Sequence, residues 1–98
     1  YIILPISEKY HEYALEVKAS LEEFDIRGSI DERDEKIGRK IRDAEVQKVP
    51  YMLIVGEKEA ADKQVSVRKK LEGDLGSMSV QDFISRFKKE ADTTVFMN

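Results

Sequence analysis

Val49-Pro50-Tyr51-Met52-Leu53-Ile54-Val55-Gly56-Glu57-Lys58-Glu59 decides how this chain folds. Val49 to Val55 is a short apolar run, rich in β-branched and aromatic side chains and ended by Gly56. That is the pattern of a buried central strand rather than of a helix. The polar Gly56–Glu59 segment leaves the strand at its carboxyl end, where open α/β sheets put their ligands. Downstream, Val65-Ser66-Val67-Arg68 alternates apolar and polar residues, as a strand with one wet face does. Glu59 and Arg68 are therefore expected to flank one sheet edge, an acceptor close to a fork of donors.

Upstream of the central run, Ile37, Ile41 and Ala44, with Val46 after them, lay one helix face on the sheet, leaving Lys36, Arg39, Lys40 and Arg42 around the remainder. Gly38 inside this helix costs about 1 kcal/mol relative to Ala, which points to a packing contact or to close approach of a nucleic-acid backbone. The preceding Asp31-Glu32-Arg33-Asp34-Glu35 cluster suits a helix start, with Asp34 as a cap and the other carboxylates favoured by the helix dipole. Tyr1 to Leu4 is a continuous apolar run closed by Pro5, as in a strand buried on both faces. Tyr10, Tyr13, Ala14, Val17, Leu21 and Phe24 then stripe a helix from about Ser7 to Phe24, with Ser7 as its cap, and Ile26 to Ile30 reads as a second strand. Gly28 within it marks a bulge or a close backbone approach.

Beyond the central run, Glu57 to Gln64 reads as a polar connection. Val65–Lys69 returns as a strand, and Glu72 to Gly76 turns into a short final one. Ser79 caps a last helix striped by Val80, Phe83, Ile84 and Phe87, with Asp82 at its third position. Thr93 to Asn98 reads as a frayed tail with some apolar anchoring. The order β-α-β-α-β-β-β-α makes the first three strands parallel, joined by right-handed crossovers.

Ninety-eight residues make one domain, 1–98, with a single thin core. The start at Tyr1, inside a strand, is expected of a piece cut from a larger chain. Zero cysteines exclude a disulfide scaffold and thiolate chemistry and suit a reducing, cytoplasmic setting. No apolar run is long enough for a membrane span. The net charge of −3 argues against a generic polyanion binder, but its distribution says more. Residues 1–35 carry 4 basic and 10 acidic side chains, residues 36–70 carry 10 and 5, and residues 71–98 carry 3 and 5. A basic middle between acidic flanks suits a local nucleic-acid footprint, although ordinary charged helix faces produce the same pattern.

Enzyme signatures are missing. No Gly-rich phosphate loop follows the first strand, no G-x-S-x-G elbow occurs, and the one histidine, His11, has no partner set for a metal or a triad. Binding has a mechanism instead. Single-stranded RNA loops splay their bases, whose edges proteins read by hydrogen bonds while lysines and arginines hold the phosphates. Guanine offers N1–H and N2–H donors to a carboxylate such as Glu59, and O6 and N7 acceptors to the fork of Arg68. A salt bridge across strands is the plain alternative for such a pair.

Taken together, V-P-Y-M-L-I-V-G-E-K-E, V-S-V-R and G-D-L-G-S-M, preceded by D-E-R-D-E-K-I-G-R-K-I-R, resemble the carboxyl-terminal anticodon-binding domain of threonyl-tRNA synthetase, a class II aminoacyl-tRNA synthetase. The resemblance covers nearly the whole chain. It implies a three-layer α/β/α fold, with three helices on a five-stranded mixed sheet whose fourth strand is antiparallel. It implies that the domain itself is not catalytic and holds no cofactor or metal, while a parent ligase, homodimeric, would use ATP, magnesium and a catalytic zinc. The implied partner is the anticodon loop of a threonine tRNA, with no DNA and no membrane. In that family the positions of Glu59 and Arg68 read anticodon bases, and threonine anticodons end in G-U. The family also uses the position of Asp34, in a motif usually written R-N-E-K-I-G. This chain reads R-D-E-K-I-G, so Asp34 lacks the amide donor and adds a charge near phosphates; Lys36 of the same motif is a phosphate or base contact. Related domains of prolyl- and glycyl-tRNA synthetases, and accessory modules that dimerise without RNA, remain as alternatives.

Overall fold

In the computed structural model, which describes the backbone of residues 1–96 and the side chains of residues 1–89, Ile3 and Leu4 are neighbours in one strand and both fully buried. Successive residues of a strand point to opposite faces, so this sheet is covered on both. Ile3 belongs to a large core with Val17, Leu21, Leu53, Val65, Val67 and Phe83. Leu4 belongs to a smaller one with Ala44 and Met52.

Five strands build the sheet: β1 (Ile2–Pro5), β2 (Ser29–Ile30), β3 (Tyr51–Val55), β4 (Gln64–Lys69) and β5 (Gly73–Ser79). Their order is β2-β1-β3-β4-β5. β2 and β3 run parallel to β1, whereas β4 is antiparallel to both of its neighbours, β3 and β5. The sheet is mixed for a simple reason: helical crossovers of more than a dozen residues join the first three strands, and short connections join the last three. Four α-helices accompany it: α1 (His11–Glu23), α2 (Ile37–Val46), α3 (Glu57–Asp62) and α4 (Val80–Phe96). Tyr13, Ala14, Val17 and Leu21 of α1 and Phe83 and Ile84 of α4 cover one face, while Ile37, Ile41 and Ala44 of α2 cover part of the other; Val46, expected with them, is exposed at the end of α2.

Several local expectations change. The second strand shrinks to Ser29–Ile30 because Asp25, in left-handed backbone at φ 61°, turns the chain and sends Ile26 into the core. Gly28 does mark a close approach, since a Cβ there would lie 2.5 Å from the Tyr1 carbonyl oxygen. The polar connection after β3 is the short helix α3, closed by Lys63 in left-handed backbone at φ 56°. This makes four helices where three were expected. α4 runs on through Thr93 to Phe96, and of the expected tail Met97 and Asn98 lie outside the described residues. Ser79 does cap α4, its Oγ accepting from the Asp82 N–H at 3.0 Å. Ser7 precedes a 3₁₀ turn, Glu8–Tyr10, without a side-chain cap, and α1 begins only after it.

Candidate functional site

The parallel strands deliver their loops to one end of the sheet. The segment from Asp31 to Lys36 follows β2, and Gly56–Glu59 follows β3. These strands lie on either side of β1, so the two loops leave the sheet roughly 10 Å apart, two strand spacings. Asp34, Lys36 and Glu59 therefore share the carboxyl end of the parallel strands.

Arg68 lies elsewhere. It stands opposite Met52 in β3 and Asp74 in β5, toward the other end of β3. β4 is flanked on both sides, so Arg68 is not on a sheet edge; β5, which the sequence shows only as a turn and a short strand, supplies the edge. Alternation along β4 sends Val65 and Val67 into the large core and leaves Gln64, Ser66 and Arg68 on the α2 side. None of these three joins the small core beneath α2. They form a polar strip from the α3 end of the sheet to Arg68, about 13 Å for four residues of strand.

The fork of Arg68 is uncommitted. Among the described residues it makes no ion pair with Glu59 or any other carboxylate. Asp74, its cross-strand neighbour, turns away and accepts from the Gly76 N–H at 2.8 Å. A register shift at Val67/Arg68 accompanies that turn, with Gly76 at φ 88°. Arg68 opens on a cavity of about 370 Å³ that Val49, Met52, Lys48, Lys70 and the Glu45 carboxylate also line.

Glu59 has a structural duty. At the third position of α3 its Oε1 accepts from the Gly56 N–H at 2.8 Å, which satisfies an otherwise orphaned donor at the helix start. Gly56 packs close to the exposed Ile6 side chain, whose Cδ1 would lie 2.7 Å from a Cβ at this position.

Asp34 is exposed and does not cap α2. The N-cap is Lys36, in extended backbone and without a side-chain cap bond. Gly38 of that first turn packs on nothing: a Cβ there would meet no atom within 4 Å. The acidic cluster does something else. Asp31 is buried and takes the Arg33 guanidinium on both oxygens, Nε at 3.0 Å and Nη2 at 2.8 Å, and also accepts the Arg33 backbone N–H. Arg33 Nη1 reaches Asp43 of α2 at 2.8 Å. These bonds hold both the Asp31 and the Asp43 carboxyls below their ordinary pKa. His11 stands at the edge of this network, with Nε2 3.5 Å from Glu32.

Lys40, expected among the exposed cations of α2, is 4% exposed. Its ammonium donates to the Pro5 carbonyl at 3.1 Å and the Asp31 carbonyl at 3.2 Å, tying α2 to the ends of β1 and β2. Sequence reasoning missed Lys40, Arg33 and Asp43. The Lys40 signal was present, since Lys40 follows Ile37 by three residues and Ala44 follows Lys40 by four, placing it on the apolar stripe. No group of three or more metal-ligating side chains occurs among the described residues. No helix among them is long and apolar enough to cross a membrane.

A family model described as anticodon binding domain matches residues 1–90. The chain belongs to the anticodon-binding domain family. It is 55% identical over 93 residues to the threonine–tRNA ligase of Phocaeicola vulgatus, covering 95% of this chain and 14% of that protein. To the enzyme of Cytophaga hutchinsonii it is 58% identical over 88 residues, 90% of this chain and 14% of the relative. Among solved structures, the RNA binding domain of threonyl-tRNA synthetase from Cryptosporidium parvum matches with a TM-score of 0.84 at 33% identity, covering 90% of this chain and 22% of that one. The anticodon-binding domain thus spans about a seventh of the curated relatives it matches, which are threonine–tRNA ligases. Nothing favours the prolyl, glycyl or RNA-free alternatives.

Proposed function

We propose that this anticodon-binding domain reads the anticodon loop of a threonine tRNA, through Glu59 and Arg68 on the bases and Asp34 and Lys36 beside them. One observation carries the reading: a half-buried arginine fork, in no ion pair among the described residues, faces a cavity lined by Val49 and Met52 as well as by Glu45 and lysines. A charged donor desolvated in this way gains most from a planar acceptor pair such as guanine O6 and N7. A salt bridge would have cancelled that gain.

The domain acts as the recognition part of a threonine–tRNA ligase in the cytoplasm, presenting the cognate tRNA to a catalytic domain that attaches threonine. ATP, magnesium and a catalytic zinc belong to that domain, and the parent enzyme is a homodimer. The test is Arg68→Ala against anticodon stem-loops ending in G-U and loops with the guanine replaced. The expected result is a loss of about 1–3 kcal/mol for the cognate loop and relaxed discrimination at that base. Equal losses for both loops reduce Arg68 to a phosphate contact.

A further inference from the structure

Asp34 and Lys36 sit on the crest of a loop whose two ends are pinned by one side chain. The Arg33 guanidinium grips Asp31, just after β2, through two hydrogen bonds, to which the Arg33 backbone N–H adds a third, and Asp43, on the second turn of α2, through one more. Lys40 holds the same strand end from beneath, through the Asp31 carbonyl. The guanidinium is thereby committed to two carboxylates, and Asp31 is buried. Nε, Nη1 and Nη2 of Arg33 each donate to one of these two carboxylates, within an otherwise acidic stretch of the chain.

We propose that Arg33 and Asp43 are positioning residues for anticodon recognition: their bond ties the 31–36 loop to α2 and holds the Asp34–Lys36 crest in the shape that meets RNA. The inference rests on the reading of Asp34 and Lys36 as RNA contacts. Its physical basis is pre-organisation. An exposed five- or six-residue loop otherwise loses conformational freedom when RNA binds, and a clamp made before binding removes that cost from the affinity. Arg suits this task and Lys does not, because only the planar fork meets two carboxylates at fixed angles. The Asp43 end matters in its own right. It couples the crest to α2, whose Ile37, Ile41 and Ala44 are packed on the sheet, so the crest inherits the rigidity of the core.

A double-mutant cycle tests this on the whole chain, with a stem-loop ending in G-U as probe. Asp43→Asn and Arg33→Lys remove the clamp; Asp34→Ala/Lys36→Ala removes the crest. Binding and melting temperature are measured for each variant at one salt concentration, and the salt slope of binding for each. The clamp variants are expected to weaken binding roughly three- to tenfold in the intact crest and to change nothing once the crest is gone. Their salt slope stays that of the unaltered chain, because no phosphate contact is lost. Equal losses with and without the crest mean a general effect on folding and overturn the proposal. A flatter slope in Arg33→Gln, which removes the charge that Arg33→Lys keeps, makes Arg33 a phosphate contact and overturns it too. If the crest variant itself binds like the unaltered chain, the assignment of Asp34 and Lys36 falls instead, a result visible before the clamp is touched.

Discussion

At the scale of single residues, Glu59 carries two demands that can be separated. Its Oε1 is bonded to the Gly56 N–H at 2.8 Å, and the function proposed above asks the same carboxylate to accept from guanine as well. Glutamine keeps an acceptor for Gly56 but replaces the second oxygen with a donor, which faces the N1–H and N2–H donors of guanine. Glu59→Gln is therefore expected to leave the melting temperature nearly unchanged while lowering affinity for the guanine-containing loop. Glu59→Ala loses both, with about 1 kcal/mol of stability gone with the helix start. If Glu59→Gln binds the stem-loop as the unaltered chain does, Glu59 is a helix-start residue only. The role of Glu59 in α3 was hidden in the sequence because G-E-K-E lacks the Ser or Thr that usually announces a capping box. The burial of Asp31 and the partners of Lys40 were hidden for another reason. Burial of a charge depends on partners distant in sequence, and Pro5, which accepts from Lys40, lies 35 residues away.

At the scale of elements, long periodic segments declared themselves and short ones did not. α1, α2, α4 and the strands β1, β3 and β4 follow from apolar stripes and runs that any core would need. α3 escaped because six residues hold less than two turns, and only Ala60 of it packs on the large core. What fixes this end of the sheet is a tether between elements: Tyr13 of α1 donates its hydroxyl to the Gln64 carbonyl, at the start of β4, at 2.6 Å. Tyr13→Phe should cost about 1 kcal/mol, the net worth of one such bond. It also has a pH signature. Burial first, then the Glu16 and Glu59 carboxylates, push the Tyr13 phenol up to about 12. A folded-state pKa above the unfolded value of 10 means stability fully present below pH 10 and lost as pH rises toward 12. Denaturant titrations at pH 9, 10 and 11 (about one unit apart, spanning that window) should show a falling stability that Tyr13→Phe makes shallower. Tyr1, raised to about 12 as well, keeps the slope from vanishing. An unchanged slope in Tyr13→Phe would show that the phenol titrates alike in both states.

At the scale of the whole molecule, a chain of net charge −3 is asked to hold a polyanion, and the structure decides which cations are available for it. The sequence places 10 basic side chains in residues 36–70, but folding withdraws several. Lys40 is buried on two carbonyls, Arg39 lies 3.5 Å from Asp43, Lys63 pairs with Glu16, and Lys69 with Glu72. Lys36, Arg42, Lys48, Lys58, Arg68 and Lys70 make no ion pair among the described residues. Binding should thus weaken with salt, with a slope set by this smaller group, each phosphate neutralised adding about 0.7 to its magnitude for single-stranded RNA. Two neighbours on α2 separate the electrostatic from the structural share. Arg42 is exposed, so Arg42→Gln should flatten the slope and lower affinity for every loop alike, with the melting temperature unchanged. Lys40→Gln should do the reverse: the slope stays, and stability falls by about 1–3 kcal/mol as buried carbonyls lose their charged donor. Stem-loop titrations from about 50 to 200 mM salt, beside thermal melts, read both quantities on the same samples. An affinity independent of salt, or an Arg42→Gln slope equal to that of the unaltered chain, would mean that α2 turns this face away from the RNA.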